Sequence, residues 1–367
     1  MLDPVLGLVA RPTPTARSTD ALRDRLAVEA RSGSVPWSER IARADAHGIA
    51  PLLARHLERA EIEVPRSAML ELRGLVMRYR RANQARADLL RRVGEGFLRE
   101  GLGAVLVKGA ALAFTLYPEP GLRAMRDVDM LVPTSRMRDV AHVLARAGFA
   151  IPDVAGWVAD PDHMHHQRPV SIDVDGFTLT FEIHRKLGVV ARGEKVTYED
   201  VVSDSRPVPP LGDAFRTLGA EAALHYVHYH GFKTPLRWPD ELRLVSVADL
   251  FAIVESVGTN LDWAALRRKR PHLVESLAWL DALSPWSDRE RELLDVAKVT
   301  GTLGPDAMAD YVGYPRRKWK DRTTALEFAR ATAFPPAWWM FARHGGRGLR
   351  RRDRARHFFR HVVEVLR

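Results

Sequence analysis

The chain contains no cysteine, so neither disulfide bridges nor thiolate metal sites enter its chemistry. It also lacks any uninterrupted apolar run of about 18 residues, and no transmembrane span is expected. Its first residues, MLDPVLGLVARPTPTAR, carry an acid at position 3 and have no basic start followed by an apolar core. No signal peptide is expected from that pattern, and with the missing cysteine it points to a cytoplasmic protein. Internal repeats and low-complexity tracts are missing as well.

What is present is enough chain, 367 residues, for two or three domains and a sizeable core. The formal charge is +10, with arginine far outnumbering lysine. A basic balance concentrates polyanions such as nucleotides, nucleic acid or anionic lipid near the surface. An Arg- and Ala-rich composition follows equally from genome base composition, so charge alone assigns no partner.

Residues 17–60 read as helices. STDALRDRLAVEARSG opens on a Ser-Thr-Asp cap and ends in glycine, and PWSERIARADAHGIAPLLARHLERA has apolar residues at helical spacing. Residues 65–101 read as one long helix or two joined ones, with a buried Leu/Met/Val stripe and an arginine-rich solvated face. This first third is packing or lid material. The pattern changes at Gly101: AVLV is a short strand, Gly109 opens the helix AALAFTLY, PEPG turns, and RDVDMLVP is a second strand ended by Pro133. TSRMRDVAHVLARAGF follows as a helix capped by Thr134 or Ser135. RPVSIDVDGFTLTFEIHRKL reads as a β-hairpin turning at Asp175-Gly176. Residues 211–300 return to helices, beginning LGDAFRTLGAEAALHYVHYHGF, and the last 67 residues are arginine-rich and irregular.

The stretch that carries chemistry is RDVDMLV. Side chains alternate faces along a strand, so Asp127 and Asp129 project together while Val128, Met130 and Val132 take the other side. Ionised carboxylates in an apolar run are costly unless paired or bound to a cation, and two on one face repel unless a cation lies between them. A hard divalent ion such as Mg²⁺ suits them. The hairpin adds a third acid: Thr180, Glu182 and His184 share one face and Phe181 and Ile183 the other. Asp127, Asp129 and Glu182 are therefore the candidate metal ligands and catalytic residues of an in-line phosphoryl displacement. Upstream, VKGAAL is a strand, a glycine and a helix start, a seat for phosphates with Lys108 as an added point charge.

The ordered set of strand–Gly–helix, alternating aspartates and a later lone acid resembles the DNA polymerase β-type nucleotidyltransferase superfamily. LVKGAALAFTLYPEPGLRAMRDVDMLV resembles more narrowly a bacterial family of uncharacterised nucleotidyltransferases, with HGIAPLLARHL, FEIHRKL and ALHYVHYHGF…VADL adding to the likeness from near residue 40 to about 255. The resemblance implies an α+β fold: a polymerase β-like nucleotidyltransferase core, a small mixed sheet with helices, flanked by helical N- and C-terminal regions. The expected division is a helical N-terminal region 1–100, the nucleotidyltransferase core 101–205, a helical region 206–300 packing on the core, and a basic Arg/aromatic region 301–367.

It further implies an NTP donor (ATP among the four), Mg²⁺ or Mn²⁺, and transfer of a nucleoside monophosphate to an acceptor hydroxyl. Asp127 and Asp129 resemble the metal-binding pair, Glu182 the third carboxylate, which also favours deprotonation of the acceptor, and Gly109 the first residue of the superfamily's Gly-Ser motif. The second residue of that motif is Ala110, so one hydroxyl contact to the phosphates is missing. Lys108 or Arg123 is expected to substitute for it. The acceptor is expected to be a small molecule or natural-product peptide. The alternatives are an RNA- or tRNA-modifying nucleotidyltransferase of the toxin kind, which the basic charge favours, and a non-catalytic nucleotide-binding scaffold of the same fold.

Each signal has a structural reading beside it. For Asp127 and Asp129 it is a pair of solvated or arginine-paired edge carboxylates, with Arg123 or Arg126 as partner, and for Lys108 a surface or ion-paired lysine. His184 either orients the acceptor or a ligand, or is a hydrogen-bonded structural histidine. His163, His165 and His166 in HMHH lack a second ligand pair at zinc spacing and read as a loop beside the active site. His225, His228 and His230 read as packing against the catalytic sheet before substrate binding. The tail, with WWMF and RRRDRAR, reads as a C-terminal helix with a solvated basic face, with membrane-surface or nucleic-acid binding as the other reading.

Overall fold

Five helices precede the first strand: α1 (Pro4–Leu8), α2 (Ala16–Ser32), α3 (Trp37–Ala46), α4 (Ala50–Arg59) and α5 (Arg66–Arg99). The computed structural model describes residues 3–32, 35–159, 166–188, 195–233, 243–300 and 355. Except for Ala355, the basic region 301–367 therefore lies outside the described residues, as do His163 and His165. Asp3 caps α1 by accepting from the Val5 N–H at 3.0 Å, and its other oxygen accepts from Arg40 of α3 at 2.7 Å. Arg40 reaches Glu29 of α2 as well, at 2.6 Å, so one buried guanidinium ties three helices.

The segment 65–101 is one helix rather than two. No proline interrupts it, and at 1.5 Å per residue α5 runs about 50 Å. Its last turns lie tight on the sheet because two positions lack a side chain. A Cβ on Gly94 would stand 2.9 Å from Phe215 Cε2, and one on Gly96 would stand 2.6 Å from Val143 Cγ1.

The sheet is six-stranded, in the order β3-β4-β2-β1-β8-β7. Its strands are β1 (Ala104–Val107), β2 (Asp127–Leu131), β3 (Val170–Val174), β4 (Phe177–His184), β7 (Arg206–Pro207) and β8 (Phe215–Thr217). A separate pair is formed by β5 (Leu187–Gly188) and β6 (Lys195–Val196). β2 runs parallel to β4 and β1 parallel to β8; the remaining neighbours are antiparallel. The β3–β4 turn has Asp175 at φ +50° and Gly176 at φ +79°, as an Asp-Gly hairpin requires.

The connecting and following helices are α6 (Lys108–Thr115), α7 (Met137–Arg146), α8 (Val154–Ala159), α9 (Tyr198–Val202), α10 (Ala220–His228), α11 (Leu244–Val257), α12 (Trp263–Lys269), α13 (Pro271–Trp279), α14 (Asp288–Leu294) and α15 (Val296–Thr300). None of the described helices is long and apolar enough to cross a membrane.

One expectation is corrected. The helix read from Leu211 begins only at Ala220, and Phe215–Thr217 instead joins β1, so the sheet extends past residue 205. Pro209–Leu211 makes a single 3₁₀ turn, Gly212 at φ +92° breaks it, and Phe215 packs its ring on Phe97. Three residues are too few to display a period of two.

Two apolar clusters sandwich the sheet. Ala104 and Leu106 of β1 enter one and Val105 and Val107 the other. Val128 and Met130 of β2 and Leu179, Phe181 and Ile183 of β4 all enter the first, which α5 and α7 complete. Asp127, Asp129, Glu182 and His184 are left on the opposite face, the side of α10 and α11.

Candidate active site

The parallel register of β2 and β4 sets Asp129 directly beside Glu182, Asp127 beside Thr180 and Leu131 beside His184. One donor atom each from Asp129, Glu182 and His184 lies within 4.8 Å of the others. His184 Nε2 is 2.9 Å from Asp129 Oδ1 and 3.8 Å from Glu182 Oε2. The expected metal set was the three acids; the closest donor group replaces Asp127 by His184. Asp127 stands two residues back along the strand on the same face, at the half-exposed start of β2.

The electrostatics of this face are those of surplus negative charge. Burial pushes the Glu182 carboxyl up to about 7, and the neighbouring Asp129 and Asp127 add to it against Lys108. Asp127 is raised for the same two reasons, burial and then Asp129, with Lys108, Arg123 and Arg243 opposing. Asp129, 3 % exposed, goes the other way: burial would raise it, but Lys108 and His184 outweigh burial and hold it well below the usual carboxylate range. Burial lowers His184 against the pull of Asp129, and with that carboxylate ionised the His184 Nε2–H is the donor of their 2.9 Å bond.

Lys108 is the local counter-charge. Its Nζ donates to Asp129 Oδ1 at 3.0 Å and lies 5.7 Å from the centroid of the Tyr226 ring. The ion-paired reading of Lys108 is thus the one found. Its backbone sits at φ +52°, a left-handed conformation costly for a side chain with Cβ, at the point where β1 becomes α6.

Arg123 does not pair with either strand aspartate. Its Nε and Nη2 both donate to Asp249 of α11 at 2.7 Å, and Tyr117 donates to the same carboxylate at 2.8 Å. Arg126 is exposed and also unpaired with the acids, so the edge-carboxylate reading of Asp127 and Asp129 with an arginine partner is not what the molecule adopts. Because Asp249 holds Arg123, its expected role as a substitute phosphate contact is corrected to a brace between the approach to β2 and α11. Gly109 lies over this brace: a Cβ there would meet Met125 Cγ at 3.3 Å and Arg123 Nη1 at 3.4 Å. Ala110 is buried in the apolar cluster with Leu106 and Met130, and its side chain has no polar atom to offer.

The long helix α5 fixes the same loop from the other side. Asn83 Nδ2 donates to the Pro120 and Arg123 carbonyls at 2.5 and 2.9 Å, and Arg86 donates to the Met125 carbonyl at 2.9 Å and to Asn83 Oδ1 at 3.0 Å. Four carbonyl and amide contacts therefore position the residues that lead into Asp127.

Of the other histidines, His166 forms a β-bridge to His184 and lays its ring edge-on at 5.4 Å, which places the HMHH loop's last residue beside the site. His225 lies 3.0 Å from Arg270 Nη1. His230, in the π-helical turn Tyr229–Lys233, packs 4.5 Å from Tyr226, and burial and then Lys108 hold it well below the ordinary histidine range.

Sequence reasoning missed Asn83, Arg86, Tyr117, Tyr226, Arg243 and Asp249. Asp249 alone carried a signal: it is an acid inside the otherwise apolar LVSVADLFAIV, the same anomaly that marked β2.

No curated protein and no solved structure matches the chain. The family model described as uncharacterised nucleotidyltransferase matches residues 33–278, more than half of the chain and all of the strands and side chains just described, and the chain belongs to that family.

Proposed function

We propose that the protein is a divalent-metal-dependent nucleotidyltransferase that moves a nucleoside monophosphate from an NTP to an acceptor hydroxyl and releases pyrophosphate. The observation that carries this reading is the cluster of donor atoms of Asp129, Glu182 and His184 within 4.8 Å, with Asp127 and Glu182 both raised by burial and by Asp129. Carboxylates this close remain ionised together only with positive charge among them, and their hard oxygens suit Mg²⁺ or Mn²⁺, with His184 Nε2 bonded to Asp129. When bound, such an ion supplies charge neutralisation at the phosphoryl oxygens.

The chain's own groups divide the remaining work. Glu182, with a pKa of about 7, accepts the acceptor's proton as the acceptor oxygen bonds to the α-phosphorus and the bond to the β-phosphate oxygen breaks. Lys108 holds Asp129 in place and lends positive charge beside the reacting phosphate. His184 fixes the Asp129 carboxylate from the other side. A small hydroxyl compound is the proposed acceptor. RNA is the second reading, favoured by the formal charge of +10, and a steep loss of RNA affinity with salt would distinguish it.

Titration calorimetry with each of the four NTPs, with and without Mg²⁺, tests the proposal on wild type, Asp127→Asn and Asp129→Asn. Magnesium-dependent binding of an NTP that both variants lose is the expected result. Undiminished metal-dependent binding in both would sink the assignment.

A further inference from the structure

Two arginines beside Asp127 have no acid of their own. Arg243 opens α11, and the Val245 N–H donates to the His47 carbonyl at 3.2 Å, which pins the start of α11 to the turn between α3 and α4. A Cβ built on Gly48, at φ +69°, would stand 2.9 Å from Arg243 Nη2 and 3.5 Å from Ala124 Cβ. The guanidinium therefore lies against that turn, which also packs on Ala124 of the loop that enters β2. Its Nε is buried with no hydrogen-bond partner among the described residues.

The charges around it do not balance. Arg126 and Arg123 repel it, while Asp127 and Tyr79 attract it; burial and then the two arginines pull Arg243 down to about 10. Arg123 is already neutralised by Asp249, and Asp127 belongs to the acidic face. Neither Arg243 nor Arg126 forms an ion pair among the described residues. Holding two such guanidinium groups together is unfavourable unless an anion lies between them, and the planar fork of arginine suits phosphate oxygens.

We propose that Arg243 and Arg126 form the subsite for the polyphosphate tail of the nucleotide, in place of the hydroxyl that Ala110 lacks and of Arg123, which Asp249 holds. The inference rests on the nucleotidyltransferase reading. It puts the leaving pyrophosphate at the Asp127 end of β2, with Glu182 and the acceptor on the β4 side.

Tripolyphosphate, titrated calorimetrically into the full chain with and without Mn²⁺, reads this subsite without an acceptor. Arg243→Gln and Arg126→Gln are each expected to weaken binding by about tenfold or more, the effect of losing a charge-assisted contact. Mn²⁺ affinity, followed by its paramagnetic resonance signal, is expected to stay unchanged in both, and Arg243→Lys is expected to fall between wild type and Arg243→Gln. Undiminished tripolyphosphate affinity in Arg126→Gln, an exposed position whose loss leaves the core alone, overturns the inference even if Arg243→Gln fails to fold. Absence of tripolyphosphate binding by wild type overturns it too. Arginine-dependent tripolyphosphate binding in a wild type that takes up no Mn²⁺ keeps the anion subsite and sinks the metal-dependent transferase reading instead.

Discussion

The two faces of strands β2 and β4 are made from adjacent residues and have opposite chemistry. On one face Val128, Met130, Phe181 and Ile183 are each 0 % exposed and packed under α5 and α7. On the other, one residue along each time, stand Asp127, Asp129, Glu182 and His184, with two carboxyls pushed upward because too much negative charge is gathered there. The first face supplies the apolar burial that holds the sheet; the second carries the groups whose burial is unfavourable. A pleated strand permits this division because its side-chain period of two keeps the sets from mixing.

The comparison breaks if the faces are not separable, and the largest effects test that directly. Phe181→Ala is expected to destabilise the fold by about 3–5 kcal/mol, seen as a lowered urea midpoint. Asp127→Asn keeps the shape and relieves the crowding by Asp129 that raises this carboxyl, so its midpoint is expected to stay close to wild type. Transfer is expected to fall roughly 10³-fold in the same variant, since charge stabilisation of the transition state is lost. If Asp127→Asn unfolds as readily as Phe181→Ala, the acids are structural and the division of labour fails.

Asp249 sharpens the comparison because it is a buried acid on the chemical side with a structural duty. Asp249→Ala strands Arg123 without its partner and is expected to cost about 3–5 kcal/mol. The double variant Asp249→Leu with Arg123→Met should recover most of that loss, because removing both charges leaves none buried alone. Metal binding by the double variant, measured by calorimetry, should match wild type. A deficit there would move the Arg123–Asp249 pair from brace to participant.

The acidic face also predicts a pH dependence that the apolar face cannot have. On the proposed reading metal takes the ionised form of Glu182, whose pKa is about 7, so protons would compete with metal below that value and cease to compete above it. Affinity for Mn²⁺ is expected to fall about tenfold for each pH unit below 7 and to level off above it. Glu182→Gln should flatten the profile. A flat profile in wild type between pH 6 and 8 would place Glu182 outside the metal site.

The parts of this molecule that were legible in the sequence are those governed by a local period. Alternation put Asp127 with Asp129 and Glu182 with His184, and Asp175-Gly176 announced its turn. The family likeness agreed with them and is borne out by the family match over residues 33–278. Contacts across long stretches of chain were not legible. Arg123 finds Asp249 across 126 residues, Asn83 finds Arg123 across 40, and Lys108 finds Asp129 across 21. No local pattern encodes those partners, so the sequence left Arg123 and Lys108 open between phosphate contact and ion pair without naming Asp249 or choosing Asp129. β8 was missed for a related reason: its strand character comes from pairing with β1, not from its own three residues.

The smallest effect concerns what keeps the two faces in register. Gly176 sits at φ +79° with nothing within 4 Å of a built Cβ, so Gly176→Ala meets no clash and its cost is purely that of the left-handed backbone. That cost is about 1–2 kcal/mol, expected as a modest drop in melting temperature. A slip of one residue in β4 would turn Glu182 toward the apolar cluster and Phe181 toward the acids. β4 is also held by five aligned pairs with β2, from Asp127↔Thr180 to Leu131↔His184, so the register should survive the substitution. Metal affinity unchanged beside a lowered melting temperature would assign the register to the β2–β4 pairing. A loss of metal affinity as well would assign it to the hairpin turn, and would make the two-residue loop the element on which the separation of the faces depends.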